Sequence, residues 1–322
     1  MTEIDELLAL QDGVISRRQV LAAGRTANDI RRWLRQRRWA SVHPGVYVHH
    51  TGPLTWRQRA WAGVLYAAPA ALCHDSALRA VDGPGRADRR DDDPIHVAVD
   101  RKRRFSPPPG VVAHHLAGLD SHVKWNASPP RVRIEEALVD LAAEATSELR
   151  AIGVLADAVQ ARRTTASRLL DTLGGRARIA RRAFLDGVLR DIDTGACSVL
   201  EHGYLTRVER PHSLPPGERQ ASGAGPIRRD VLYRQQQVVV ELDGRAFHDN
   251  AGARGRDLDR DLAAAVEEGL TTTRLGWGQV FDHACTTALR IGLLLQRRGW
   301  AGTPVTCPKC PTEAMPSNEV AR

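Results

Sequence analysis

The sequence has no long hydrophobic run and no pattern typical of a secreted protein. Apolar residues make up 42% of the 322 residues, which is enough for ordinary protein cores. No stretch approaches the ~18 unbroken apolar residues that a membrane-spanning helix requires. Acids occupy the N-terminal stretch, MTEIDELLALQDG, where a secretory signal would carry a basic region and then an apolar run. We therefore expect a cytoplasmic protein that does not interact with membranes.

Cysteines are few, and they do not predict a disulfide framework. Their number, five, is odd, and three of them stand far apart. Only Cys307 and Cys310 are close together, in the order C-P-K-C. A structural zinc site requires four ligands, and no second pair follows this one. The composition favours a disordered, proline-rich tail over residues 301–322, and metal binding at the pair is the alternative.

Lysine is also scarce, so arginine supplies nearly all of the positive charge. The 46 basic residues exceed the 38 acids by eight, and only Lys102, Lys124 and Lys309 among them are lysines. This arginine bias is typical of a GC-rich genome as well as of a phosphate-binding protein. A basic balance permits nucleic-acid binding without requiring it.

The hydrophobic pattern divides the chain into three regions before the tail. The first, residues 1–52, predicts helix, turn, helix and then a strand pair that turns at Pro44 and Gly45. The second, residues 53–194, predicts a mixture of helices and strands that is mainly helical at its end. The third, residues 195–300, predicts a compact α/β unit with a buried central V-V-V-E-L strand.

A basic helix is predicted in the first region, beginning after the capping residue Thr26 and extending to residue 38. In helix-turn-helix modules the second helix of the pair lies in the major groove of DNA. One arginine side chain can form two hydrogen bonds with the edge of a guanine, and one asparagine can form two with the edge of an adenine. We therefore predict double-stranded DNA as the partner, although an exposed basic helix can also pack on a partner protein. The candidate DNA-binding residues are Asn28, Arg31, Arg32, Arg35 and Arg38.

Three carboxylates stand at the ends of two predicted strands in the third region. Asp230 opens one strand and Glu241 ends the next, so a hairpin between the strands would bring them close. Asp243 follows at i+2 and shares a strand face with Glu241. Phosphodiester hydrolysis uses a divalent ion, and Mg²⁺ prefers oxygen ligands. The pattern predicts a site for Mg²⁺ or Mn²⁺ at these three acids, although a strand end can also simply reach solvent.

The strings R-R-D-V-L-Y, E-L-D-G-R-A-F-H and R-D-L-D-R-D resemble the very-short-patch-repair-like branch of the PD-(D/E)XK nucleases. The resemblance covers residues 195–298. It implies that Asp230 and Glu241 hold the metal. Asp243 stands where the general pattern has lysine, which is a departure, and it would be a further ligand. Four other residues, His248, Glu201, Arg256 and Arg260, gain expected roles in the same way.

Each of those four roles has an alternative. His248 would act as a general acid or base, or it would be structural. Glu201 would orient metal-bound water, or it would cap a neighbouring helix. Arg256 and Arg260 would contact phosphate, or they would belong to a solvated helix face.

The strings G-V-I-S-R-R-Q-V-L-A-A-G, I-R-R-W-L-R-Q-R-R-W and V-H-P-G-V-Y resemble the winged-helix region of AbiEi-type antitoxins. The C-H-D-S-A-L string beginning at Cys73 is similar to that family's next segment, so the resemblance spans residues 5–145. It implies a DNA reader, and no toxin partner is indicated. Together the two resemblances imply a multidomain α/β chain: an N-terminal winged helix-turn-helix, an α+β middle region and a C-terminal mixed-sheet restriction-endonuclease-like domain.

Two functions fit these patterns. The first is a metal-dependent DNA endonuclease that is targeted by its N-terminal domain. The second is a DNA-binding, antitoxin-like regulator whose nuclease fold is inactive. Completeness of the acid cluster favours the first, because decayed nucleases commonly lose some of these residues. A homodimer is compatible with either function.

Overall fold

The computed structural model describes residues 2–83, 91–194, 198–222, 228–243 and 269–310. The chain forms two compact units, Met1–Leu141 and Ala142–Arg322. The described residues contain three sheets, one antiparallel and two mixed, together with helices in both units. The prediction of an α/β chain with more than one folded unit is confirmed at this level. No helix in the described part of the chain is long and apolar enough to cross a membrane.

The first unit begins with three capped helices and a small antiparallel sheet. Thr2, Ser16 and Thr26 each accept a hydrogen bond from the backbone three residues ahead, and this starts the three helices. Gly13 lies at φ +83°, and a side chain there would collide with the His49 ring. The sheet order is β1-β3-β2. The elements are α1 (Glu3–Leu10), β1 (Val14–Ser16), α2 (Arg17–Ala22), α3 (Ala27–Arg35), β2 (Ala40–His43) and β3 (Val46–Val48).

The rest of the first unit is a five-stranded mixed sheet with helices beside it. The strand order is β6-β5-β4-β8-β7. The first helix of this part packs closely on the sheet at Gly63, where a Cβ would lie 3.2 Å from Cγ2 of Ile95. The elements are α4 (Trp56–Tyr66), β4 (Ala70–Leu72), α5 (His74–Asp82), β5 (Ile95–Asp100), β6 (Val111–Leu116), α6 (Leu119–His122), β7 (Val123–Lys124), β8 (Arg131–Val132) and α7 (Ile134–Glu144).

The second unit contains helices and a four-stranded mixed sheet of order β12-β11-β10-β9. The predicted V-V-V strand is its most buried part, since Val238, Val239 and Val240 are fully buried. Gln237 adopts a left-handed conformation, φ +54°, in the turn before that strand. The elements are α8 (Glu148–Gln160), α9 (Ala166–Gly175), α10 (Arg182–Thr194), α11 (Ser198–Gly203), β9 (Glu218–Ser222), β10 (Arg228–Tyr233), β11 (Val238–Leu242), β12 (Thr271–Leu275) and α12 (Ala284–Arg297).

A buried polar network holds the helical segment after α11 against the sheet. The hydroxyls of Tyr204 and Tyr233 are 2.9 Å apart, and the Tyr233 hydroxyl donates to Oε2 of Glu209 at 3.0 Å. Burial raises the pKa of both phenols far above the ordinary range, so both stay protonated. Arg219 of β9 lies 2.8 Å from the same Glu209 oxygen and balances its charge. The network therefore joins β9, β10 and the preceding helical turn.

Residues 301–310, which the composition predicts to be disordered, pack against other residues of the second unit. The backbone N–H of Val305 donates to the carbonyl of His212 at 2.9 Å. The amide of Gln296 donates to the carbonyl of Gly302 at 2.9 Å. Gly292 of α12 leaves room for Pro304, because a Cβ there would lie 2.5 Å from Cγ of that proline. Residues 311–322 lie outside the described residues.

The cap of α3 gives a first prediction, because Thr26 and Asp29 satisfy each other's backbone N–H groups at 2.9 and 3.2 Å. Replacing Thr26→Ala removes one of these acceptors from the helix N-terminus. We expect the free energy of unfolding to fall by about 1 kcal/mol in chemical denaturation. Thr51→Ala, at an exposed bend, is the control and should change it by less than about 0.5 kcal/mol. Equal effects of the two substitutions would contradict a stabilising cap.

Candidate functional site

The first two predicted metal ligands face each other across two strands. β10 and β11 pair antiparallel with Val231 opposite Val240, which places Asp230 opposite Glu241. The predicted hairpin is therefore confirmed. On the other side of β10, the register of β9 places Gln220 beside Asp230. Residues opposite each other in register share a face of the sheet, so the two acids and the amide form one polar row.

Asp230 is the best-connected member of this row. Its Oδ2 accepts a hydrogen bond from the backbone N–H of Leu242 at 2.7 Å. Burial raises the pKa of Asp230 above its ordinary value, and the negative charge of Asp243 acts in the same direction. Hydrogen bonds with Leu242, Gln220 and Glu241 oppose this rise in part. Asp230 and Glu241 are therefore neighbours in the row.

Glu201 joins the row from α11, as the sequence places it near the start of the same domain. The side-chain amide of Gln220 donates to Oε1 of Glu201 at 2.8 Å. Burial raises the pKa of Glu201, the negative charge of Asp230 raises it further, and Arg219 opposes both. Gln220 was not identified from the sequence. It contacts both acids and lies at φ +48°, a conformation that its residue type does not reveal.

Two arginines lie near Glu241. Arg229, almost completely buried, has Nη1 at 3.9 Å from Oε1 of Glu241. Arg274 on β12 is the register partner of Glu241. The backbone N–H of Asp243 donates to the carbonyl of Leu275 at 2.9 Å, which continues the β11–β12 ladder by one residue. The charge of Glu241 thus has positive neighbours that the sequence did not identify.

The acids are more widely spread than the ligands of a compact metal site. Among the described residues, two groups bring three or more ligand atoms within 4.8 Å of one another, and neither includes the acids. One group is Cys73, His74 and His114 in the first unit. The other is His212, Cys285, Cys307 and Cys310 in the second unit. The acidic row can therefore supply one or two ligands to an ion, with further positions left to water or substrate.

The predicted DNA-binding residues of the first unit are all exposed. Nη2 of Arg31 donates to Oδ1 of Asn28 at 2.6 Å, and Nη2 of Arg32 donates to Oδ1 of Asp29 at 2.9 Å. The helix ends at Arg35, not at residue 38 as predicted, because Arg37 adopts a left-handed conformation with φ +53°. Arg35 therefore lies in the last turn of the helix, and Arg38 lies beyond it.

Three candidate residues lie outside the described residues: His248, Arg256 and Arg260. Their expected roles as a general acid or base and as phosphate contacts stay predictions.

A cluster of histidines in the first unit was not expected. The rings of His74 and His114 stack with centroids 3.8 Å apart, and Nδ1 of His96 lies 2.9 Å from Nε2 of His114. Burial lowers the pKa of His114 to about 3, and the neighbouring imidazoles His74 and His96, followed by His115, act in the same direction. His114 is therefore neutral near pH 7. The spacing of these residues in the sequence gives no signal for it.

No family model matches the chain, and no curated protein matches it. Among solved structures, the crystal structure of the RV2827C protein from Mycobacterium tuberculosis is similar over 61% of this chain and 80% of that one. The two share 17% sequence identity, with a TM-score of 0.38. A similarity this low carries neither fold nor function from one protein to the other.

The low pKa of His114 predicts a pH dependence of stability. In the unfolded chain His114 is an ordinary histidine with a pKa of 6.5. Below that pH the unfolded chain binds a proton at His114, whereas the folded protein binds it only near pH 3. The contribution of His114 is therefore fully present above pH 6.5 and is lost as the pH falls from 6.5 towards about 3. We expect His114→Gln to reduce this acid-side loss in thermal melts between pH 7.5 and about 5.

The matched control is His115→Gln, an exposed histidine on the same strand. This control should leave the dependence of the melting temperature on pH nearly unchanged. If the melting temperatures of the wild type and His114→Gln depend equally on pH, His114 does not titrate in this way.

Proposed function

We propose that this chain is a metal-dependent DNA endonuclease that binds duplex DNA through α3 and holds Mg²⁺ or Mn²⁺ at Asp230 and Glu241. The observation that carries the proposal is the half-buried carboxyl of Asp230, whose pKa is raised by burial and by the charge of Asp243, in a row that also contains Glu241 and Glu201. Grouping acids next to a buried valine strand costs free energy unless a cation or a proton compensates their charge.

The donor set suits a hard divalent cation. Asp230 and Glu241 would hold it, whereas Asp243, the further ligand expected from the sequence, does not come within 4.8 Å of both of them. Mg²⁺ commonly uses one or two carboxylates and takes water and substrate phosphate for the rest, so a spread row of acids fits it. A bound cation of this kind would polarise the phosphoryl group and make water a better nucleophile.

Other residues of the row would position groups and move protons. The amide of Gln220 holds Oε1 of Glu201 at 2.8 Å and so fixes its direction. A carboxyl with a raised pKa, such as Glu201, is better matched to proton transfer near neutral pH than an ordinary one. The N–H of Leu242 fixes one oxygen of Asp230.

The DNA-binding half of the proposal rests on the order of the first six elements. Helix, strand, helix, helix, strand and strand, with a three-stranded antiparallel sheet, is the order of a winged helix. In such modules the helix equivalent to α3 enters the major groove. Arg31 and Arg35 lie exposed on α3, on the side away from the buried Ile30.

A second candidate function is a DNA-binding regulator with an inactive nuclease fold. The observation that favours it is the pair of arginines near Glu241: Arg229, 3.9 Å away, and Arg274, its register partner. If these arginines neutralise Glu241 permanently, no cation is required there. The two candidates differ in whether metal binds the row and in whether DNA is cut.

Metal binding at Asp230 predicts opposite effects of Asp230→Asn with and without Mg²⁺. In EDTA the variant should melt at the same temperature as the wild type or higher, because the amide keeps the bond from Leu242 and removes a buried charge. Added Mg²⁺ should raise the melting temperature of the wild type by mass action and leave the variant unchanged. Asp171→Asn, at an exposed residue of α9, is the control and should keep the wild-type response. Equal responses of all three proteins would place no metal at Asp230.

DNA cleavage separates the two candidate functions. We expect the wild type to nick supercoiled plasmid with Mg²⁺ or Mn²⁺, and Asp230→Asn or Glu241→Gln to lower the rate by roughly 100-fold or more. Both variants should bind duplex DNA in EDTA as the wild type does. The double substitution Arg31→Ala and Arg35→Ala should weaken binding and reduce its salt dependence.

The control for that loss of charge is Arg168→Ala with Arg178→Ala, two exposed arginines of the second unit. Binding without cleavage under every metal tested would support the regulator. A folded protein that neither binds nor cuts DNA would overturn both candidates.

A further inference from the structure

Four ligand-type side chains from three separate segments meet in the second unit. His212 ends a short 3-10 turn before β9, and Cys285 is the second residue of α12. Cys307 and Cys310 come from the C-terminal segment after that helix. One ligand atom of each lies within 4.8 Å of all the others. The second pair of ligands that the sequence lacks after C-P-K-C is therefore supplied by residues that precede it.

The separations match those of a tetrahedral zinc site. Zn–S bonds of about 2.3 Å and Zn–N bonds of about 2.0 Å place two sulfurs about 3.8 Å apart and a sulfur about 3.5 Å from a nitrogen. Sγ of Cys307 lies 3.6 Å from Sγ of Cys285 and 3.9 Å from Sγ of Cys310. Sγ of Cys310 lies 3.5 Å from Nε2 of His212. All three distances agree with one ion at the centre.

The histidine is held in the tautomer that binds metal through Nε2. Nδ1 of His212 lies 2.9 Å from the carbonyl oxygen of Val208. A carbonyl only accepts, so Nδ1 carries the proton and Nε2 has its lone pair free for a ligand bond. Metal-bound histidines generally donate their second N–H in this way. His212 is also fully buried, so its orientation is fixed by packing.

The C-P-K-C turn directs backbone N–H groups at the sulfurs. The N–H of Lys309 points to Sγ of Cys307 at 3.4 Å, and the N–H of Cys307 points to Sγ of Cys310 at 3.3 Å. A further bond from the N–H of Cys310 to the carbonyl of Cys307, 3.0 Å, closes the turn. Such outer hydrogen bonds orient thiolate ligands around a metal.

A disulfide or an iron–sulfur cluster fits these four side chains less well than a single zinc ion. A disulfide has sulfurs about 2.0 Å apart, and it would leave the third cysteine and the aimed histidine without a role. An iron–sulfur cluster holds its ligands around several metal ions and requires more room than 4.8 Å between them. Three sulfurs and one imidazole nitrogen are a set typical of structural zinc, with no position left for water.

We propose that His212, Cys285, Cys307 and Cys310 bind one structural zinc ion. The ion ties the C-terminal segment to α12 and to the turn before β9. The bond between Val305 and the carbonyl of His212 lies next to this site and supports the same connection. The proposal does not depend on the proposed endonuclease function, because none of its ligands belongs to the acidic row.

The test measures the zinc content of the full chain, purified without chelator, by inductively coupled plasma mass spectrometry. We expect about one zinc per chain in the wild type. Cys310→Ala should lose it, and Lys309→Ala should retain it because that exposed side chain changes the same turn without removing a ligand. Asp230→Asn should also retain the zinc, which separates this site from the acidic row.

A second measurement covers variants that fail to fold. Titrating wild-type thiols with an organomercurial should release about one equivalent of zinc, and replacement by Co²⁺ should give the absorption of a tetrahedral thiolate complex. Folded wild-type protein with no zinc and no such Co²⁺ spectrum would overturn the proposal. So would a disulfide between Cys285 and Cys307 in protein purified under nitrogen, or zinc that is lost only in Asp230→Asn.

Discussion

The pairing of β10 with β11 is the constraint on which the acidic row depends. β11 is buried along Val238, Val239 and Val240, and side chains alternate between the two faces of a strand. Because both faces of β11 are buried, a shift of one residue would bring Gln237 or Glu241 into a position that a buried valine now fills. The core therefore fixes the register, and the register places Asp230 opposite Glu241. Hydrophobic burial therefore determines where the acidic side chains meet.

That placement leaves an excess of negative charge that other groups must compensate. The structure offers a backbone N–H for Asp230, an amide for Glu201 and arginines near Glu241. Each relieves part of the cost, and the raised pKa values of Asp230 and Glu201 indicate that relief is incomplete. Carboxyl groups with raised pKa values of this kind cluster at functional sites. In an inactive nuclease fold, the arginines near Glu241 would compensate the acids instead of a cation. The two candidate functions therefore differ in which positive charge balances the same acidic row.

Local patterns made part of this architecture predictable from the sequence. The two predicted strands that carry Asp230 and Glu241 predicted the hairpin, and the capping residue Thr26 predicted a helix start. Gln220 and Arg229 could not be found in this way, because their importance comes from the strand beside them. The helix that carries Arg35 was predicted too long, since nothing in the arginine-rich pattern marks Arg37 as left-handed.

The Cys/His group shows the same limit over a longer range. No second pair of ligands stands near C-P-K-C in the sequence, because His212 is 98 residues from Cys310. Only the docking of residues 301–310 onto α12 brings them together, and the proline-rich composition of that segment predicted the opposite. Zinc sites are recognised in a sequence when their Cys and His ligands stand in closely spaced pairs. Here the fold itself has to form first.

A zinc ion at this position would also affect the acidic row through the chain. His212 ends the turn that leads into β9, and β9 carries Gln220, which holds Glu201 beside Asp230. Arg219, also on β9, anchors the strand to the buried Glu209. Fixing His212 restricts where this strand can lie, because a ligand bond and a buried ion pair then hold the segment at both ends. A bridge across so long a stretch of chain removes much conformational freedom from the unfolded state. A zinc ion at His212 would thus stabilise residues 212–222, and the same segment positions the acids through Gln220.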